Sequence, residues 1–285
     1  MIMGYMNMPP IFTNNFICDY PQGVITMDST GSLRDRFRYD GFIIVKNLFN
    51  PEEIDRIRED AQYIFSLQMA SKGYSYNYFD KEEFESSLYK FFKENHQAFI
   101  NCGKHIQHLI SLHRLSLDGR VIEILNSLGL SFPNICTRPV LYFNTKHLAT
   151  KEIYHTMPAH QDQYSMEGSD DSTVVWVPLI DVTKNLGTLQ VVPRSHTEGL
   201  VTIKSEEGFG IVNKYKDNDF ISIELSKGDA LFFSSCLVHR SGINITDSIR
   251  WSSHFRYNNM EDSDFIKRQY PHPYIYKPSS KIEPE

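Results

Sequence analysis

The sequence predicts an α+β chain whose core is a closed antiparallel sheet, a jelly roll braced by helices. Three observations lead there. Helical periodicity fills the chain from about residue 50 to Gly129, short β-branched and aromatic runs take over after it, and Gly, Pro, Asn and Asp turns separate those runs at loop-length spacing. Aromatic residues make up 13% of the chain, which suits β-structure and an aromatic-lined cavity.

Residues 1–32 are rich in Pro, Asn and Gly, show no period, and predict an irregular arm. Phe42-Ile-Ile-Val45, after Gly41, reads as a short buried strand. Asn50 is a good N-cap, Pro51 suits the first helical position, and Glu53 completes a capping box. The helix they start runs to about Met69, with Ile54, Ile57, Ala61, Ile64 and Phe65 on one face. Residues 72–80 form an aromatic loop whose Tyr74, Tyr76 and Tyr78 suit either a lid or ordinary packing, and 82–115 and 118–129 are helical again. The strands expected after Gly129 are Pro139–Phe143, Thr173–Val177, Thr188–Val192, Phe220–Glu224, Asp229–Phe233 and Ile249–Tyr257. The organisation is one domain over 33–270, with helices mostly in 50–130 and the sheet core at about 136–258, followed by a polar tail at 271–285.

Composition narrows the function. With 285 residues, 41% hydrophobic and 22% charged, the chain can bury a large core without staples and is neither disordered nor collagenous. A net charge of −6 argues against nucleic acid as a partner and against an anionic membrane surface. No run of apolar residues is long enough to span a bilayer, and the N-terminus lacks the pattern of a signal peptide. Cys18, Cys102, Cys136 and Cys236 are widely spaced and form no CxxC pair, which reads as reduced thiols in a cytoplasmic protein. Asn244-Ile-Thr246 matches a glycosylation acceptor by chance.

The chemistry concentrates late in the chain. In Pro158-Ala-His160-Gln161-Asp162, an extended backbone puts His160 and Asp162 on one face, an imidazole beside a carboxylate. A third ligand would complete a facial triad of two histidines and one carboxylate, which leaves positions open on ferrous iron. His239 follows the turn and strand Gly228–Phe233. On the last strand Arg250, Ser252, His254 and Arg256 share one face, and Ile249, Trp251, Ser253 and Phe255 the other. An arginine such as Arg250 among apolar barrel residues needs an anion, and the carboxylate of a bound ligand would supply it.

Taken in order, His160-Gln-Asp162, Asn185-Leu-Gly187 through Pro193-Arg-Ser-His196, Gly228–Phe233, His239-Arg-Ser-Gly242, Arg250 and the opening 37–60 resemble the phytanoyl-CoA dioxygenase family over about residues 35–257. The resemblance implies a double-stranded β-helix, cupin-like, carrying a non-haem Fe(II)- and 2-oxoglutarate-dependent dioxygenase. It would hydroxylate a small-molecule or carrier-linked metabolite while O2 and 2-oxoglutarate give succinate and CO2. It places the iron on His160, Asp162 and His239, the distal carboxylate of 2-oxoglutarate on Arg250, and Ser241, Asn144 and Trp176 around that cosubstrate. Asp162 favours hydroxylation over halogenation, whose enzymes lack this ligand. Leu186 and Arg194 depart from the family's turn residues and should cost turn geometry only. A non-catalytic jelly-roll module, or a cupin metalloenzyme that does not use 2-oxoglutarate, is the alternative. The remaining histidines, among them His147, His155, His196 and the group His96, His105, His108 and His113, read as loop, surface or hydrogen-bonding residues. The loop 163–172 is a candidate for substrate contact, and no protein partner is indicated.

Overall fold

The computed structural model of the chain describes residues 32–148, 156–204 and 210–272. The predicted arm up to residue 31, His155, Cys18 and the tail from 273 onward lie outside these residues. The elements in chain order are α1 (Leu33–Asp40), β1 (Phe42–Val45), α2 (Pro51–Ser71), α3 (Lys81–Glu94), α4 (His96–His105), α5 (Ile110–Ser116) and α6 (Gly119–Leu128). Then come β2 (Pro133–Ile135), β3 (Val140–Asn144), α7 (Gln163–Met166), β4 (Thr173–Pro178), β5 (Leu189–Val191), β6 (Ile203–Lys204), β7 (Gly210–Ile211) and β8 (Ile221–Ser222). The chain closes with β9 (Ala230–Ser234), β10 (His239–Ser241), β11 (Arg250–Asn259) and α8 (Ser263–Lys267).

Local chemistry explains the boundaries. The Asn50 side chain caps α2 and Glu53 returns the bond, the capping box expected from the sequence. The helix α1 was not expected; Ser32 and Asp35 form its capping box, and Gly41 ends it in the left-handed region at φ 85°. A side chain at Gly41 would collide with the His196 ring, its Cβ only 2.4 Å from Nδ1. The helical run predicted over 82–115 is broken at Asn95, where φ −134° and ψ 48° leave the helical region, and again at a 3-10 turn over Ile106–His108. Strand β8 is shorter than the run predicted over 220–224, because only Ile221 and Ser222 face β5 in register.

The main sheet has the order β1-β9-β4-β11-β2, with β3 also paired to β11, and every ladder is antiparallel. A smaller sheet runs β10-β5-β8. The side-chain period of two gives the main sheet two different faces. Val175, Val177, Phe232, Trp251 and Phe255 pack on the helices with Ile54, Phe65, Phe91 and Phe99. Val174, Trp176, Leu231 and Phe233 turn the other way, toward Leu189 and Val191 of the smaller sheet and Leu237 in the turn before β10. Each fully buried aromatic or aliphatic side chain contributes about 1.5–3 kcal/mol, so the helical layer fixes the main sheet from behind and leaves its inner face for the site. Tyr74 and Tyr76 belong to the helical layer, edge-on to Phe91 at 5.8 Å and Phe84 at 6.0 Å. They are packed aromatics and form no lid over the inner face.

Candidate active site

The site lies between the two sheets. His160 and His239 face each other in an antiparallel bridge: each backbone N–H donates to the other's carbonyl, at 2.9 and 3.0 Å. Their rings are 4.2 Å apart. Each Nδ1 is held by the carbonyl two residues earlier, Pro158 at 2.8 Å for His160 and Leu237 at 2.9 Å for His239. A carbonyl only accepts, so both Nδ1 atoms carry the proton and both Nε2 lone pairs are free for a metal.

Asp162 reaches the same point by a different route from the one the sequence suggests. Its backbone is helical, φ −64° and ψ −30°, and it starts the short helix α7 instead of continuing an extended strand. The carboxylate still meets the histidines, with one donor atom of each of the three residues within 4.8 Å of the others. Gln161, between the ligands, clamps the segment. Its amide N–H groups donate to the carbonyls of Gly199 and Cys236, and its oxygen accepts from the Val201 and Thr202 backbone and the Thr202 hydroxyl.

The charge states follow from burial and from Arg256. Burial pushes His239 down to about 3 and His254 well below its ordinary value, so both are neutral at pH 7. Burial alone would raise Asp162, but the Arg256 guanidinium, with the histidines, holds it well below the usual carboxylate range. The contact of 3.8 Å between His239 Nε2 and Asp162 Oδ2 therefore joins a neutral ring to a carboxylate and is no ion pair. Two imidazoles and one carboxylate form a donor set for a first-row divalent metal, with positions left over.

These ligands open on a cavity of about 250 Å³, also lined by Tyr142, Trp176, Ser241, Arg250, Ser252 and His254. Arg250 is 2% exposed. One guanidinium nitrogen donates to the Gly187 carbonyl, Nε has no partner, and no carboxylate among the described residues pairs with it. The Ser252 hydroxyl, next along the same face, is also buried and unpartnered. A buried cation without a counter-charge and a hydroxyl without a partner are costly unless a bound anion completes them. The donor set and these orphaned groups fit iron and a dicarboxylate cosubstrate.

The model of the phytanoyl-CoA dioxygenase (PhyH) family matches residues 37–252. The chain belongs to this family. It is a non-haem Fe(II)/2-oxoglutarate-dependent dioxygenase. The phytanoyl-CoA dioxygenase domain-containing protein 1 homolog of Caenorhabditis briggsae is 22% identical over 299 residues, spanning 86% of this chain and 99% of that protein. The peroxisomal phytanoyl-CoA dioxygenase of Bos taurus is 26% identical over 244 residues, spanning 77% of this chain and 66% of that protein. Among solved structures, the epimerase SnoN in complex with Fe3+, alpha ketoglutarate and nogalamycin RO is similar at TM-score 0.55 and 17% identity. That likeness covers 80% of this chain and 82% of SnoN, and shows the jelly-roll fold.

The residues expected from the family resemblance are distributed unevenly. His160, Asp162, His239, Arg250, Ser241 and Trp176 all line the one cavity. Asn144 does not: it pairs with Arg250 in the ladder, and its side chain bonds the Tyr142 hydroxyl, whose ring lies 5.6 Å from the Arg250 guanidinium carbon. The loop 163–172 contributes no lining residue; Met166, Ser169 and Ser172 are buried in the fold instead. His147 bonds Asp247 at 3.0 Å, His196 bonds the Arg38 carbonyl at 2.9 Å, and the His108 and His113 rings stack at 6.4 Å. None of them joins the cavity, and among the described residues no other trio of metal-binding side chains comes together. Asn244 is buried, its amide donating to the carbonyls of Asn144 and Ser248, so it is a poor glycosylation acceptor. Arg194 takes the left-handed region at φ 66°, the turn cost expected where the family carries glycine. The parts played by Tyr142 and Gln161 were not expected, whereas the alternation on β11 had already placed Ser252 on the face of Arg250.

Proposed function

We propose that His160, Asp162 and His239 hold the Fe(II) and that Arg250 receives the distal carboxylate of 2-oxoglutarate. The observation that carries this reading is Arg250 itself, a buried guanidinium without a carboxylate partner among the described residues, in the cavity onto which the three ligands open. Ser252 and Ser241 offer hydroxyls to the same anion, and Trp176, Val174 and Phe233 wall the cavity with apolar surface that excludes water. When bound, the iron supplies, with 2-oxoglutarate and O2, the oxidising power for attack on a C–H bond. The chain's part is to hold two Nε2 lone pairs and one carboxylate oxygen toward one point, to anchor the cosubstrate, and to keep the cavity dry. Because the carboxylate ligand is present, hydroxylation is the outcome this site favours. The acceptor is a small molecule, as in the PhyH family; relatives are named for phytanoyl-CoA. The catalytic unit is one domain over 33–270, in which β1 from the N-terminal part completes the sheet beside β9.

The cytoplasm is the compartment this reading favours. Cys102, Cys136 and Cys236 are free thiols, and no helix among the described residues is long and apolar enough to cross a membrane. The test of the site is anaerobic addition of Fe(II) and then 2-oxoglutarate. A weak visible charge-transfer band that needs both additions and disappears in His239→Ala is the expected result. A folded protein with no band would remove the assignment.

A further inference from the structure

Two arginines of β11 line the cavity, and their surroundings differ. Among the described residues Arg250 meets no carboxylate, and its Nε has no partner. Arg256 meets the iron-binding one: its Nη2 donates to Asp162 Oδ1 at 2.8 Å and its Nε donates to the same oxygen at 3.2 Å. Oδ2 is turned toward His239, 3.8 Å from Nε2. Both charges are shielded, the side chains 14% and 4% exposed, so the pair keeps its strength.

The three ligands are also held by different means. His160 and His239 are fixed by backbone carbonyls through Nδ1. Asp162 leaves the extended backbone at the start of α7, so strand alternation no longer sets its direction. Its orientation comes from a side chain on another element. Arg256 is well placed for this: it stands opposite Val174 in the β11–β4 ladder, and its own carbonyl accepts from the Cys136 N–H at 2.9 Å. A guanidinium is planar and donates from fixed directions, which a lysine ammonium cannot reproduce.

We propose that Arg256 is the positioning residue of the metal centre: by occupying Oδ1 it restricts Asp162 to ligation through Oδ2. A carboxylate that closes on a metal through both oxygens uses two coordination positions, and one held through a single oxygen leaves the second free for cosubstrate. The two arginines of β11 thus act on different partners, Arg250 on the cosubstrate and Arg256 on the ligand that makes room for it. This inference rests on His160, Asp162 and His239 being the metal site.

The test is a titration of the full chain with Co(II), followed by visible absorption, in Arg256→Lys. The charge is kept, so repulsion between that side chain and the metal is unchanged, and only the planar fork is lost. Loss of a residue that orients a ligand costs about 10–100-fold in metal affinity, and a fall of that size is expected, together with a change in the position and intensity of the Co(II) bands. A folded Arg256→Lys with wild-type affinity and bands overturns the proposal. So does lower affinity with unchanged bands, or a lower Tm alone, because a merely structural residue would give either. If Arg256→Lys does not fold, Arg256→Gln replaces it, with the same band change expected. His239→Ala separates the two readings. Undiminished Co(II) binding there removes the metal site itself, whereas lost binding there beside a wild-type Arg256→Lys removes only the role of Arg256.

Discussion

Replacing Arg250 by methionine should stabilise the ligand-free chain and weaken its grip on 2-oxoglutarate. Burial pushes the guanidinium down from 12.5 to about 10. At 1.36 kcal/mol per pH unit, the buried charge carries a cost of about 3 kcal/mol. Arg250→Met removes that cost with a side chain of similar length. It also removes the donor to the Gly187 carbonyl, a loss of about 1 kcal/mol. The net expectation is a gain of about 2 kcal/mol, read as a higher urea midpoint without ligand. Cosubstrate binding moves the other way. Leaving a buried charge without its partner costs about 3–5 kcal/mol, which weakens 2-oxoglutarate by roughly a hundred- to several-thousand-fold at 1.4 kcal/mol per decade. Wild-type protein with Co(II) and 2-oxoglutarate at a hundred times its Kd gains about 2.7 kcal/mol from the ligand; the variant at the same concentration gains almost nothing. The two stability series therefore cross when ligand is added. A variant that is less stable without ligand, yet equally stabilised by 2-oxoglutarate, would refute both halves of the reasoning.

Three other outcomes are expected. Asp162→Ala removes a ligand and leaves Arg256 buried without its carboxylate, so iron-dependent succinate formation should fall to background and urea stability should drop by about 3–5 kcal/mol; retained turnover would sink the triad. Gln161→Ala strips partners from the Gly199 and Cys236 carbonyls and from two backbone N–H groups, and should cost about 2–4 kcal/mol in urea unfolding, with metal affinity falling alongside; a cost below about 1 kcal/mol would show that the clamp is idle. Gly187→Ala places a Cβ 2.7 Å from the Asn244 N and 2.8 Å from the Gly242 carbonyl at φ 75°, so the turn must shift and carry the Gly187 carbonyl away from Arg250. Lower stability and a raised 2-oxoglutarate requirement should appear together, and a change in stability alone would uncouple the turn from the anchor.

The sequence made the β-part of this site legible because strands have a period of two. Arg250, Ser252, His254 and Arg256 were placed on one face from their spacing, and all four line the cavity. The same rule misled at Asp162, where the backbone turns helical two residues after the bridge at His160. A local conformational change of that kind is set by what holds the segment, here Gln161 and the α7 turn, and leaves no periodic trace. Helix α1 was missed for a related reason: it is eight residues long, mostly charged, and buries only Phe37, so it has almost no hydrophobic stripe to detect. Its capping residues Ser32 and Asp35 were the available signal. Asn144 shows the limit of carrying a family's residues across by position alone. It is next to Arg250 in the ladder, yet its side chain is spent on Tyr142, and the aromatic ring is what faces the cavity.

The distribution of buried charge explains how one inner sheet face could hold both a metal and a dianion, as proposed, without collapsing onto itself. Four polar side chains from a single strand point into a cavity that also holds His160, Asp162 and His239 and has Val174, Trp176, Leu189 and Phe233 among its apolar walls. In low-dielectric surroundings two arginines and one aspartate would pair as fully as geometry allows. The strand prevents this. Arg250 and Arg256 are six positions apart on β11, about 20 Å along an extended chain at 3.3 Å per residue, so the guanidinium beside Asp162 cannot be exchanged for the one beside Tyr142. The helical layer behind Trp251 and Phe255 keeps that strand from sliding. One arginine is thereby committed to the protein's own carboxylate while the other must find its partner in a ligand. With Arg250 as the proposed anchor, the separation would favour a molecule that can reach the metal and still place a carboxylate on that guanidinium.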